Sequence, residues 1–162
     1  MKDSNWQIHA LTHADHDWVE QFVVNHWGAA KMVVHGECLF PADLPGFACT
    51  QNGQVLGLII YRIQKEACEV VSLDSLRERE GIGSALLNAV IATARRQNCR
   101  NVWLVTTNDN LHALGFYQKR DFHLTAVFPG AVTDARKTKP SIPLIGLNGI
   151  PLTDELVLTR CL

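Results

Sequence analysis

Apolar positions along the chain change spacing several times. Trp6-Gln7-Ile8-His9-Ala10-Leu11 alternates as a short strand does, and residues Asp17 to Trp27 place Trp18, Phe22, Val23 and His26 at helical spacing, with Gly28 ending the helix. Val33-Val34 and Phe47-Ala48-Cys49 are brief strand candidates on either side of the loop Pro41 to Gly46. Gln51-Asn52-Gly53-Gln54 reads as a hairpin turn, because Asn-Gly readily supplies the positive dihedrals such turns need, and it leads into the strand Val55 to Arg62. Ala67 to Leu73 is a further strand whose near-continuous apolar character predicts burial on both faces, with Glu69 a lone charge inside it.

A helix is expected from Ile82 to about Gln97, with Ile82, Ala85, Leu86, Ala89 and Val90 on one stripe and Arg95 and Arg96 complementing its C-terminal dipole. The apolar strand Val102 to Thr107, a helix beginning at Asn110 and the strand Phe122 to Phe128 follow. Residues 129 to 154 read as a long irregular connection, kept ordered by Ile142, Leu144, Ile145, Leu147, Ile150 and Leu152, and the chain closes on the strand Glu155 to Cys161. Strands interleaved with helices predict a mixed α/β fold, and the length suits one domain over residues 1–162.

The junction Glu78-Arg79-Glu80-Gly81-Ile82-Gly83-Ser84 is built to hold phosphate. A strand runs into two glycines that open a long helix, so the backbone can approach a ligand closely while first-turn N–H groups point at it with the positive end of the helix dipole behind them. Ser84-Ala85 follow Gly83, so the Lys-Ser or Lys-Thr that closes a P-loop is missing. Position 86 is Leu and residues 98–104 contain no acid, which excludes a dinucleotide-binding fingerprint.

Further along, Asn110-x-x-Ala113-x-x-Phe116-Tyr117 is followed by Phe122. Together with Gly81-Ile82-Gly83 at the strand-to-helix junction, this resembles the GNAT acyl-CoA N-acyltransferases, with the match strongest over residues 54–128. The resemblance implies a central twisted, mostly antiparallel sheet of six to seven strands with helices on both faces and acyl-CoA bound at a splayed strand pair. It implies that Arg79, Glu80, Gly81, Ile82, Gly83 and Ser84 cradle the pyrophosphate of acetyl-CoA, that Asn110 and Tyr117 contact the coenzyme near its sulfur, and that main-chain groups at Val71, Ser72 and Leu73 hold the thioester oxygen and pantetheine arm. Glu78 stands where the family has Gln or Arg, Gly115 lowers the helix propensity of its segment, and Asp121 replaces a small residue before Phe122, where it tolerates a left-handed backbone.

Acetyl transfer to an amine needs a base for the ammonium and an acid for the departing thiolate. Tyr117 is the candidate acid, the alternative being a core tyrosine. Glu69 is the candidate base, the alternative being a buried partner for an arginine, and Asp74 is next in line. Asn110 can equally cap its helix. His35 is a candidate for the acceptor pocket or an ordinary core or surface histidine, and Arg136-Lys137-Thr138-Lys139, which could clamp an anionic acceptor or the coenzyme's ribose phosphate but resembles the usual solvated run, is left unassigned. Residues 129 to 154 are expected to cover the acceptor. A non-catalytic acyl-CoA sensor on the same fold, or a nucleotide binder using the same loop, are the competing functions.

Composition narrows the partners. A net charge of −1 and a pI near 6.6 provide no field for nucleic acid or an anionic membrane surface. No apolar run is long enough to span a bilayer and the first residues lack a signal peptide's apolar core, so a cytoplasmic protein is expected. Cys38, Cys49, Cys68, Cys99 and Cys161 are odd in number and scattered, which reads as reduced thiols. His13-Ala14-Asp15-His16-Asp17 is read as a helix start capped by Thr12 or Asp15 in preference to a metal site, and no metal is expected. The expected partner is a small-molecule or peptide amine, with a homodimer open through the edge of the C-terminal strand.

Overall fold

A computed structural model of the chain describes residues 5–34 and 36–162, and His35 lies outside them. The chain divides into two compact units, Met1–Arg100 and Asn101–Leu162. The first contains β1 (Gln7–Ala10), α1 (His16–Trp27), β2 (Met32–Val34), β3 (Glu37–Leu39), β4 (Gly46–Gln51), β5 (Gln54–Gln64), β6 (Ala67–Ser75) and α2 (Ile82–Arg96). The second contains β7 (Asn101–Thr107), α3 (Leu111–Gln118), β8 (His123–Phe128), α4 (Ala131–Thr138) and β9 (Glu155–Cys161).

In the first unit β1, β4, β5 and β6 pair antiparallel in that order, while β2 and β3 form a separate hairpin. Asn52 and Gly53 at the β4–β5 turn both have positive φ, as the Asn-Gly pair demands. β2 falls on the expected Val33-Val34 strand, whereas its partner β3, three residues long, is too short to establish a period.

The two helices of this unit pack on opposite faces of the sheet. Val19, Phe22 and Val23 of α1 form a buried cluster with Ala48, Leu58 and Ile60, so the inward stripe is centred on Val19 and Trp18 is only half-buried at its margin. Gly57, beside Leu58 and therefore facing the other way, marks the α2 side. A Cβ there would sit 2.8 Å from Ile82 Cγ2 and 2.9 Å from the Asp74 carbonyl oxygen, so only glycine lets α2 approach this closely. α2 buries Ile82, Leu86, Leu87, Val90, Ile91 and Ala94.

In the second unit β9 lies between β7 and β8, antiparallel to both. The C-terminal strand therefore has no free edge for a partner. The outer strand is β8, where Leu124, Val127 and Phe128 are exposed. Residues 129–154 also depart from expectation: they contain the helix α4 and a short 3-10 turn at Leu147–Gly149. Val132 is the buried residue of α4, which left no apolar period to read, and its start is fixed from 21 and 24 residues later by Val132 N donating to the Thr153 carbonyl (2.9 Å) and Gly130 N to Asp154 Oδ1 (2.8 Å).

The remainder of that segment is ordered by three side chains. Asn108 Oδ1 accepts from Thr153 N and Asp154 N, both at 3.0 Å, and its amide donates to the Pro151 carbonyl. Buried Asp109 accepts from Thr107 Oγ1 and from Leu147 N (2.7 Å). Arg136 donates to the carbonyls of Ile142, Pro143 and Leu152, so it is spent on the segment's own backbone. Among the described residues no helix is long and apolar enough to cross a membrane.

Asp109→Ala removes a charged acceptor from two donors. It is expected to destabilise the protein by about 2–3 kcal/mol, the scale for a hydrogen bond to a buried charged group. Denaturant titration measures this, and trypsin should cut faster after Arg136 and Lys137. An unmoved midpoint with unchanged cutting would show that Asp109 does not order the segment.

Candidate active site

β6 is the strand on which the first unit's site depends. Its register with β5 runs from Gln64↔Ala67 to Tyr61↔Val70 and resumes at Ile60↔Ser72, so Val71 is an extra residue without a partner on β5. Such a bulge breaks the ladder and turns successive side chains to one side. Val71 packs on the α1 cluster, and Ser72 and Asp74 lie opposite Ile60 and Leu58, both members of that cluster. Residues directly opposite one another in an antiparallel pair project from the same face. Val71, Ser72 and Asp74 therefore all face α1.

Glu69 also faces α1, and its role there is defined by Arg62. The carboxylate is 2% exposed and accepts from Arg62 Nε, while Arg62 Nη1 lies 2.8 Å from Glu37 Oε1 on β3. Glu37 first and Glu69 second hold the guanidinium firmly charged against the cost of burial. This arrangement was within reach of the sequence. The two-residue turn Lys65-Glu66 sets Gln64 opposite Ala67 and hence Arg62 opposite Glu69.

Asp74 differs in its surroundings. It is half-buried, and its Oδ2 accepts the indole N–H of Trp27 at 3.2 Å. Burial pushes its carboxyl above the usual aspartate range, against smaller downward effects of the Trp27 bond and of His26. Trp27 lies 47 positions away on the last turn of α1, and no local signal could have linked the two. Ser72 is 6% exposed, and its Oγ is buried without a hydrogen-bond partner.

Beyond β6 the chain enters the glycine loop. Gly81 caps α2 with φ at 80°, a left-handed conformation that glycine adopts without strain, and a Cβ there would meet nothing within 4 Å. The first intrahelical bond runs from Ala85 N to the Gly81 carbonyl (3.0 Å), so the amides of Ile82 and Gly83 precede the ladder and point out of the helix end. Arg79 also has positive φ (61°) and is exposed, as is Glu80. Arg77 turns back to donate to Gln51 Oε1 (2.9 Å) and lies 3.7 Å from Glu80, which partly offsets that acid. Open space, a left-handed glycine and outward amides fit a pyrophosphate bound through backbone contacts.

In the second unit Asn110 caps α3, its Oδ1 accepting from Ala113 N at 3.1 Å. Tyr117 is 7% exposed and stands edge-on to Phe116 (5.0 Å) and Phe122 (5.3 Å). The helix end explains that packing. Asp121 has φ of 63°, Phe122 N donates to the Tyr117 carbonyl and Asp121 N to the Gln118 carbonyl, which is a Schellman ending whose usual apolar contact is made by Phe122 on Tyr117.

A separate cleft of about 300 Å³ in the first unit is lined by Leu11 to His13, Asp15, His16, Val19 and Ala42 to Pro45. Its polar groups are engaged with one another: Thr12 and Asp15 form a capping box, Trp18 Nε1 donates to Asp15, and His16 lies 3.1 Å from Asp43. The His13 to Asp17 stretch is thus a helix entry, and among the described residues no three His, Cys, Asp or Glu side chains group as metal ligands.

The family model for the acetyltransferase (GNAT) family matches residues 9–122. The chain belongs to that family. It is 44% identical over 145 residues to the uncharacterized protein YxbD of Bacillus subtilis (strain 168), a match covering 89% of this chain and 91% of that protein. The uncharacterized protein YdhI of the same organism is 42% identical over 86% of this chain and 88% of its own. A crystal structure of a GNAT family acetyltransferase from Elizabethkingia anophelis with acetyl-CoA bound superposes with a TM-score of 0.70 at 20% identity, covering 99% of this chain and 100% of that one. The fold is the GNAT fold, mixed α/β with antiparallel strand pairing in both units.

Glu69→Ala leaves the buried Arg62 guanidinium with Glu37 alone. It is expected to lower stability by about 3 kcal/mol, the scale for breaking a buried ion pair from one side. Chemical denaturation reads the loss, and a change under 1 kcal/mol would mean that Glu37 suffices.

Proposed function

We propose that the chain is an N-acetyltransferase that moves an acetyl group from acetyl-CoA to a primary amine of a small molecule or peptide by direct attack. What carries the reading is the bulged strand β6 leading into a glycine-capped helix, where backbone donors are available at both ends of one segment. Family membership supports acetyl transfer, and the acetyl-CoA bound in the Elizabethkingia anophelis structure supports the co-substrate. The reading takes the whole chain as one catalytic domain.

Acetyl-CoA supplies the activated acyl group. On this reading Gly81, Ile82, Gly83 and Ser84 hold the pyrophosphate, with Arg79 and Glu80 flanking, and Asn110 contacts the coenzyme while capping α3. Backbone N–H groups around Val71, Ser72 and Leu73 polarise the thioester carbonyl. The amine forms the new C–N bond as the C–S bond breaks, a carboxylate takes the ammonium proton, and the Tyr117 phenol protonates the thiolate.

Two carboxylates on β6 compete for the proton. Glu69 is bonded to Arg62, and protonating it would break a buried ion pair. Asp74 carries a neutral donor only, and its raised affinity for protons suits a base. The reading therefore gives the base role to Asp74 and leaves Glu69 to position Arg62.

Gly83→Val tests the coenzyme site without the backbone strain that any side chain at Gly81 would impose. Calorimetry should show acetyl-CoA binding weakened at least tenfold, and unchanged affinity would remove the loop from the site.

The acid and base are tested together. Tyr117→Phe keeps the ring and loses the proton, so kcat should fall about 10²-fold. Because Asp74 must be deprotonated to act, activity should fail on the acid side at a pH above the ordinary aspartate range. Asp74→Asn should abolish that limb, whereas Glu69→Gln should leave it. A limb lost in Glu69→Gln would return the base role to Glu69.

A further inference from the structure

The α1 face of β6 presents, in sequence, a carboxylate closed by an arginine, a hydroxyl with no partner and a carboxylate whose partner is an exposed indole. Glu69 is satisfied by Arg62. Ser72 Oγ is not satisfied by any described residue. A buried hydroxyl without a partner is a standing cost, which natural structures offset with a bound water or a ligand. Asp74, two residues on and on the same face, accepts one bond from Trp27, and its Oδ1 takes no protein hydrogen bond among the described residues.

The Trp27 bond is the weak member of this row. At 3.2 Å from a neutral donor it lies at the long end of the N–H···O range, and the Trp27 side chain is 44% exposed on the final turn of α1. Ammonium-to-carboxylate bonds are shorter, about 2.7–2.9 Å, and roughly twice as strong as neutral ones. A primary ammonium arriving at Asp74 is thus the better donor. Residues two apart on a strand have Cα atoms about 7 Å apart, so one nitrogen about 2.8 Å from each oxygen can bridge Ser72 and Asp74.

We propose that Ser72 Oγ and the Asp74 carboxylate form the nitrogen subsite for the acceptor, with the Trp27 indole N–H holding Asp74 until a primary ammonium group displaces it. The assignment rests on the N-acetyltransferase reading and deepens it by naming the side chains that take the acceptor nitrogen, which must carry at least two free N–H donors. A quaternary ammonium of equal charge has none. Ser72 Oγ, buried and without a partner in the free protein, gains one when the ammonium binds. The hydroxyl orients the nitrogen and the carboxylate receives its proton.

The Trp27 indole proton is itself the reporter. The full chain labelled with ¹⁵N-tryptophan, its Trp27 resonance assigned through Trp27→Phe, is titrated with n-butylammonium chloride and, separately, tetramethylammonium chloride, without coenzyme. A saturable shift with butylammonium and none with tetramethylammonium is expected. Ser72→Ala should weaken the apparent Kd about tenfold, Ser72→Thr should recover most of it, and Asp74→Asn should abolish the shift. Absence of a saturable shift with butylammonium overturns the proposal, as does an equal shift with tetramethylammonium. An unchanged Kd in Ser72→Ala also overturns it, since the hydroxyl would then hold an internal water only. Acetyl-CoA calorimetry on the wild type is a separate arm: failure to bind coenzyme with the indole shift intact would sink the acetyltransferase reading and leave the ammonium subsite standing.

Discussion

The one-residue bulge at Val71 governs what the first unit can do. Strand side chains alternate with a period of two, so one extra residue exchanges the two faces for everything that follows it. Without it, Ser72 and Asp74 would face α2 with Ile59 and Gly57, where α2 approaches so closely that a Cβ at Gly57 would clash. With it they face α1, and Asp74 reaches Trp27. The same insertion removes Val71 from the ladder with β5. One irregularity thus orients the acidic side chain.

Either side of the bulge the two carboxylates are set apart by their partners. Glu69 lies before it, opposite Arg62, in a pair that is buried and shared with Glu37. Asp74 lies after it, half-buried, with an indole for company. Identical side-chain chemistry meets different environments: Glu69 is paired with a guanidinium, whereas burial raises the proton affinity of Asp74.

The second unit spends its polar residues on order. Asn108, Asp109 and Asn110 are consecutive, and each bonds to backbone: Asn108 and Asp109 fasten the segment before β9, and Asn110 caps α3. A stretch that reads as a loop of polar residues is therefore a junction where three chain segments meet. Leu144, Ile145 and Leu147 remain exposed on the fastened segment even though its backbone is held. Tyr117 is held in the same spirit, wedged between two phenylalanines by a helix ending that Asp121 makes possible.

Much of this was legible in the residue order. Asn52-Gly53 dictated its turn, the stripe from Ile82 placed α2 to within a residue or two, and Gly81-Ile82-Gly83 with the Asn110 to Tyr117 spacing pointed to the family, because these features depend on local dihedrals and periods. The Arg62–Glu69 pair was open only as an unnamed arginine partner for Glu69, and the register across the Lys65-Glu66 turn identified it. Tertiary structure alone decided the rest. The placement of β9 between β7 and β8, the start of α4 on Asp154, the face on which Ser72 and Asp74 emerge and the meeting of Trp27 with Asp74 all join residues distant in sequence or hinge on a single-residue slip in register. Sequence patterning determines which side chains share a local face; only pairing and packing determine what that face meets.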